Sequence, residues 1–245
     1  MTPKPRPEPP YRTRVTAGAW TNFEVKVEQT DLFLRADRDL TAEARELVWE
    51  GRRRIEAFAA RRPDFLTSLK PLEDVGPAPP PVREMLEAAR KAGVGPMAAV
   101  AGALAEYVGR GLLSQSPGGV VVENGGDIFL AAKKETVVGL FAGDSPLSLR
   151  LGLAVQPESG PLGVCTSSGT VGHSLSFGRA DAATVVARQA ALADAAATGL
   201  GNRVLRPQDI EPSLHWALEI PGVIGAVVIL KDKVGFLGNL TLVSI

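Results

Sequence analysis

A helix made almost wholly of small residues constrains this chain more than any other feature. The run PMAAVAGALAEYVGRGLL reads as helical from Pro96 to about Leu112, with Ala and Gly on several of its faces. Such a surface lets neighbouring backbones come close, so the helix is expected to lie tightly sandwiched. After it the pattern changes to short β-type runs, GVVVEN, DIFLAA, TVVGLFA, LSLRLGLAV and LGVCTSS, spaced as a meandering antiparallel sheet would space them. A second Ala-rich stretch, Asp181 to Asn202, has helical propensity, although Thr184-Val185-Val186 also reads as a short strand before a helix from about Gln189. Pro207 to Leu218 reads as a further helix, and residues 223–230 and 239–244 as two closing strands. Helices interleaved with mostly antiparallel strands define an α+β fold.

Upstream, WTNFEVKVEQTDLFLRADR alternates apolar and polar residues around Gln29-Thr30-Asp31, which predicts a β-hairpin. Asp39 or Thr41 is placed to cap the helix that follows, which ends before Pro63 with Leu47, Ile55 and Phe58 on one side. A proline-rich connector spans residues 62–81, and Pro81 suits the first turn of a helix ended by Gly93 or Gly95. Five prolines within residues 1–10 predict an extended, disordered tail, leaving residues 11–245 as a single domain.

Composition excludes several function classes. Lys plus Arg and Asp plus Glu are both 27, so no net field attracts nucleic acid or an anionic membrane. One cysteine and two histidines rule out an internal disulfide and a structural zinc cage. The N-terminus lacks the apolar core of a signal peptide, and the longest apolar stretches are far below spanning length; a cytoplasmic protein without nucleic-acid or membrane partners is the expectation.

Four segments have compositions that a core does not require. Glu123-Asn124-Gly125-Gly126-Asp127 reads as a hairpin turn, or as bare amides open to a phosphate or flat ring, with Asn124 and Asp127 supplying hydrogen bonds. Cys165-Thr166-Ser167-Ser168-Gly169-Thr170 is either a solvated turn or a phosphate grip of hydroxyls and amides, with Cys165 read as a buried small hydrophobe. His173 follows as a proton acceptor or phosphate ligand, or as hydrogen-bonded structure, whereas His215 is assigned to packing or surface. Asp194 and Thr198, four residues apart in a run of alanine, share one helix face and offer hard oxygens suited to Mg²⁺.

In this order the segments resemble the ApbE-type FAD:protein FMN transferase family, and more closely its smaller intracellular relatives. The family's KGyavD-like helix is matched by Ala101-Gly102-Ala103-Leu104-Ala105-Glu106, its GG turn by Asn124-Gly125-Gly126-Asp127, and its TSG-type loop by Ser167-Ser168-Gly169-Thr170. The histidine segment is matched by His173, and the ADalaT pattern by Ala193-Asp194-Ala195-Ala196-Ala197-Thr198. The resemblance implies an ApbE-like, T-fold-related α+β architecture of mostly antiparallel sheets with packed helices. It also implies an FAD site whose pyrophosphate is bridged by Mg²⁺ held by Asp194 and Thr198, with FMN passed to a hydroxyl of an acceptor protein.

On that resemblance His173, Asp194 and Thr198 take the catalytic roles. Asn124, Gly125, Gly126, Asp127, Ser167, Ser168, Gly169 and Thr170 line the cofactor. Ala101 stands where the family has Lys, Glu106 where it has Asp, and the HIIDPxTG-like segment becomes His173-Ser174-Leu175-Ser176-Phe177-Gly178. Those departures leave room for a module that binds flavin or another nucleotide without transferring it. A further reading is a homo-oligomer, with the small-residue helix and the terminal strands packed between subunits.

Overall fold

The computed structural model describes residues 20–73, 76–156, 160–170 and 177–245. An eight-stranded antiparallel sheet forms its centre, in the order β1-β2-β3-β4-β7-β8-β9-β10. Its strands are β1 (Thr21–Val27), β2 (Thr30–Ala36), β3 (Gly119–Asn124), β4 (Asp127–Ala132), β7 (Leu162–Ser167), β8 (Ala182–Ala187), β9 (Val223–Leu230) and β10 (Lys233–Gly238). Strands β5 (Thr136–Gly139) and β6 (Leu151–Val155) leave this sheet and join β11 (Thr241–Ser244) in a second sheet, ordered β11-β6-β5. The expected single meander is thereby corrected: its middle runs pair with the end of the chain, Leu153 standing opposite Leu242.

Alternation along each strand builds two cores, one on either face of the central sheet. In β8, Ala183, Val185 and Ala187 point to the helices, while Ala182 and Val186 meet Val138, Leu140 and Leu153 of the small-sheet side. The helical layer holds α1 (Thr41–Arg61), α4 (Val100–Leu112), α5 (Ala190–Arg203) and α6 (Ile210–Glu219) against the large sheet, with α3 (Val82–Ala92) packed on α5. A short helix, α2 (Asp64–Thr67), lies within the proline-rich connector. Among the described residues no helix is long and apolar enough to cross a membrane.

Helix α4 is sandwiched as its composition demands. A Cβ on Gly102 would stand 2.3 Å from the Ala190 carbonyl oxygen of α5, and one on Gly109 would stand 2.1 Å from the Phe129 ring of β4. On the outer side, a Cβ on Gly51 of α1 would come within 2.7 Å of Leu104. These contacts come from within the chain, so the helix is not free to pack between subunits, and that part of the oligomer reading is corrected. Its first turn, Pro96–Ala99, is a 3₁₀ helix.

Several boundaries differ from the sequence reading. The β1–β2 turn is Glu28-Gln29, with Glu28 at φ 52, and Thr30 already pairs with Val27. The Asp39 carboxylate starts α1 by accepting the Thr41 N–H at 2.8 Å and its hydroxyl at 2.6 Å. The Thr184 segment is strand β8, and α5 begins at Ala190. Three strands close the chain instead of two; the additional one is β10, which carries Gly235 and Gly238 and shows no clean apolar alternation.

Candidate functional site

The site lies on the helix-facing side of the large sheet, at the end where β3 turns into β4 and β7 runs out. Asn124 pairs with Asp127 across a two-residue turn whose glycines sit at φ 67 and φ 104, a region that side chains disfavour. Among the described residues a Cβ on Gly125 would meet nothing within 4 Å, so they leave the space over the turn open. The expectation of bare amides needs one correction: the Gly126 N–H already donates to Glu123 Oε1 at 2.7 Å. Asn124 is also engaged, its Nδ2 donating to the Ala101 carbonyl at 3.1 Å and tying the turn to the start of α4.

Asp194 of α5 reaches the same place. Its Oδ2 accepts the Gly102 N–H at 2.9 Å, and the Ala101 N–H contributes as well, so this carboxylate caps α4 from outside the helix. Glu106 of α4 returns the arrangement. Its Oε2 accepts the N–H of Ala190, the first residue of α5, at 2.6 Å, while its Oε1 pairs with Arg110 at 2.7 Å. The two helices therefore cap each other, and Glu106, which the resemblance placed at a motif aspartate, is a structural acceptor.

Asp194 is half-buried yet strongly desolvated. Burial raises its carboxyl to about 7, and the Gly102 and Ala101 amides pull in the opposite direction. Asp127, 9% exposed, faces it from β4. Burial pushes the Asp127 carboxyl well above the ordinary carboxylate range, and the nearby charges of Asp194 and, less, Glu123 push it the same way. The Cys165 thiol and the Thr166 N–H oppose that rise. Among the described residues, Asp127 Oδ1 is buried without a hydrogen-bond partner.

Thr198 lies one turn beyond Asp194 on the same helix face, half-buried, and among the described residues its hydroxyl has no hydrogen bond assigned to it. Continuing along that face, a Cβ on Gly201 would be 3.5 Å from Ser167 Oγ. The Asp194–Thr198–Gly201 face thus runs for roughly 10 Å, at 1.5 Å rise per residue, from the β3–β4 turn to the end of β7. Among the described residues no cluster of three or more His, Cys, Asp or Glu side chains is spaced for a metal. What the site offers is two carboxylates and a hydroxyl, all hard oxygen donors, which fits a cation of the Mg²⁺ kind that keeps most of its water.

The rest of the serine loop is hydrogen-bonded toward β8. Ser168 Oγ accepts the Thr170 N–H at 3.1 Å, and the Thr170 hydroxyl donates to Asp181 at 3.1 Å. Gly169 donates its N–H to Ala180 at 2.9 Å. These contacts fold the loop toward the start of β8. Close glycine approaches make this fold possible, since a Cβ on Gly169 would lie 2.3 Å from the Gly178 oxygen and one on Gly178 would lie 1.8 Å from the Gly201 oxygen. His173 lies outside the described residues. Cys165 is buried, as read, and its thiol donates to the Ala190 carbonyl at 3.4 Å; burial first, then Asp127 and Asp194, push that thiol up. His215 is exposed on α6.

With this geometry in place, the arrangement is that of the flavin-transferase fold. The flavin transferase ApbE from Vibrio cholerae superposes with a TM-score of 0.52 at 13% identity, covering 92% of this chain and 96% of that one. The Thermotoga maritima ApbE protein gives 0.52 at 12% identity, covering 88% of this chain and 96% of that chain. Identities this low speak for the fold alone. The family model described as AbpE bacteria matches residues 12–235, and the chain belongs to that family. Relatives include the UPF0280 protein of Methanocella arvoryzae, 42% identical over 88% of this chain and 87% of its own length. The UPF0280 protein of Methanocaldococcus jannaschii is 41% identical over 90% and 92%.

Proposed function

We propose that the chain binds FAD or a related flavin nucleotide together with Mg²⁺ in the cleft along α5, and passes FMN to a hydroxyl of an acceptor protein with release of AMP. The observation that carries this reading is the convergence of Asn124–Asp127, the Thr166–Ser167 end of β7 and the Asp194–Thr198 face, three segments distant in sequence. Asp194 and Thr198 would hold the cation, and the open space over Gly125 would admit the nucleotide. A divalent cation in such a site offsets phosphate charge and orients the attacking hydroxyl. The chain's own contribution is positional. Mutual capping of α4 and α5 fixes where the Asp194 carboxylate points, and Asn124 fixes the turn against α4.

Ala101 favours a second reading, retention of the nucleotide without transfer. At the position of the family's lysine it supplies a backbone carbonyl to Asn124 and no cation.

Equilibrium binding of FAD with and without Mg²⁺ tests the proposal. Uptake that requires Mg²⁺ and falls roughly tenfold or more in Asp194→Asn, which keeps an acceptor for the α4 amides, is the expected result. AMP release with covalent flavin on a hydroxyl-bearing protein would establish transfer, and tight FAD without turnover would establish the second reading. Failure to bind any flavin under either condition would overturn both.

A further inference from the structure

Asp127 is approached by the Cys165 thiol and the Thr166 N–H, yet among the described residues its Oδ1 has no partner. An ionised carboxylate buried without a partner is costly, and burial is tolerated where a cation or a full set of hydrogen bonds compensates it. Among the described residues Oδ1 has neither, and the charged groups that face Asp127 there, namely Asp194 and Glu123, are both acidic. Glu123 is engaged with the Gly126 N–H. Asp194 uses Oδ2 on the Gly102 N–H. Cys165 donates its thiol to the Ala190 carbonyl, so it does not serve as a soft thiolate ligand, and the donors that remain are hard oxygens.

We infer that Asp127 is a ligand of the divalent cation, not a hydrogen-bonding group for the nucleotide, and that Asp127 and Asp194 together let the chain load a hard cation before any nucleotide arrives. This rests on the proposed cation role of Asp194 and Thr198, and adds an order of binding. A site with one carboxylate needs the substrate's phosphates to complete it. A second carboxylate, losing its proton as the ion enters, strengthens the site for the bare ion. The Oδ1 of Asp127 and the Thr198 hydroxyl, neither engaged among the described residues, are the positions left for the ion.

The test uses Mn²⁺ alone, followed by electron paramagnetic resonance on the full chain free of nucleotide. Wild type is expected to take up Mn²⁺, Asp127→Asn to bind it roughly tenfold or more weakly, and Mn²⁺ to raise the melting temperature of wild type more than that of the variant. Asp127→Asn removes a buried charge without changing shape. If that variant does not fold, the wild-type measurement still decides, because absence of Mn²⁺ uptake without nucleotide overturns the inference. Equal Mn²⁺ affinity in wild type and Asp127→Asn overturns it as well. In either case Mg²⁺-dependent FAD uptake by wild type would leave the proposed function standing, so the two failures are distinguishable.

Discussion

Helices α4 and α5 each begin under a carboxylate supplied by the other, and the two caps differ in what lies behind them. Glu106 has its second oxygen on Arg110, whose guanidinium also lies 5.6 Å from the centre of the Phe129 ring. That end is charge-balanced and closed. Asp194 has a second carboxylate, Asp127, where Glu106 has its arginine. The same capping device is neutral at one end of the helix pair and electrostatically incomplete at the other, and the incomplete end is the one beside the diglycine turn. A cap that only served stability would have no reason to face another acid.

The sharpest way to break this comparison is to remove the balanced cap. Glu106→Ala strands the Ala190 N–H in a buried position and should cost about 3 kcal/mol in urea unfolding, with Glu106→Gln recovering part of the loss because an amide oxygen still accepts. A smaller effect should separate the incomplete end by its pH response. Asp194 is raised to about 7 from 3.8, so the folded chain holds a proton there that the unfolded chain releases. The resulting stability is fully present below about pH 4 and is lost progressively as pH rises through about 7. Asp127 is raised too and prolongs the decline, while Glu123 and Cys165 are the other titratable groups facing it. Melting curves across that range should flatten in Asp127→Asn, and a slope unchanged by that substitution would refute the repulsion between the two acids.

Gly109→Ala tests the sandwich that holds the caps in register. Its Cβ would press on Phe129, and a loss of about 1 to 2 kcal/mol in thermal unfolding is expected. The smallest effect belongs to Thr198→Val, which should change stability by no more than about 0.5 kcal/mol while weakening Mn²⁺ binding a few-fold. Equal metal binding in that variant would remove the hydroxyl from the cation site.

Much of the fold was legible because its pattern is local. Short β-type runs marked β3, β4 and β7, and the smallness of residues 96–112 announced a helix pressed between neighbours. The departure of β5 and β6 into a second sheet was not legible, since Leu153 and Leu242 meet only through long-range pairing and their alternation looks the same in either sheet. Strand β10 was hidden by Gly235, which is required because Ile210 of α6 leaves no room for a Cβ. At the site, the spacing of Asp194 and Thr198 was readable as a shared helix face. The isolation of Asp127 was not, because desolvation depends on what tertiary packing brings near. Nor was the engagement of Asp194 with the α4 amides; Gly102, the point of closest approach, was the available signal.

Reciprocal capping also bears on how the helical layer assembles. Neither α4 nor α5 can have its leading amides satisfied until the other is docked in register, so half-built forms carry unsatisfied backbone groups on both segments. The pair should therefore form and come apart as one cooperative unit, and the floor of the cleft exists only once that unit is whole.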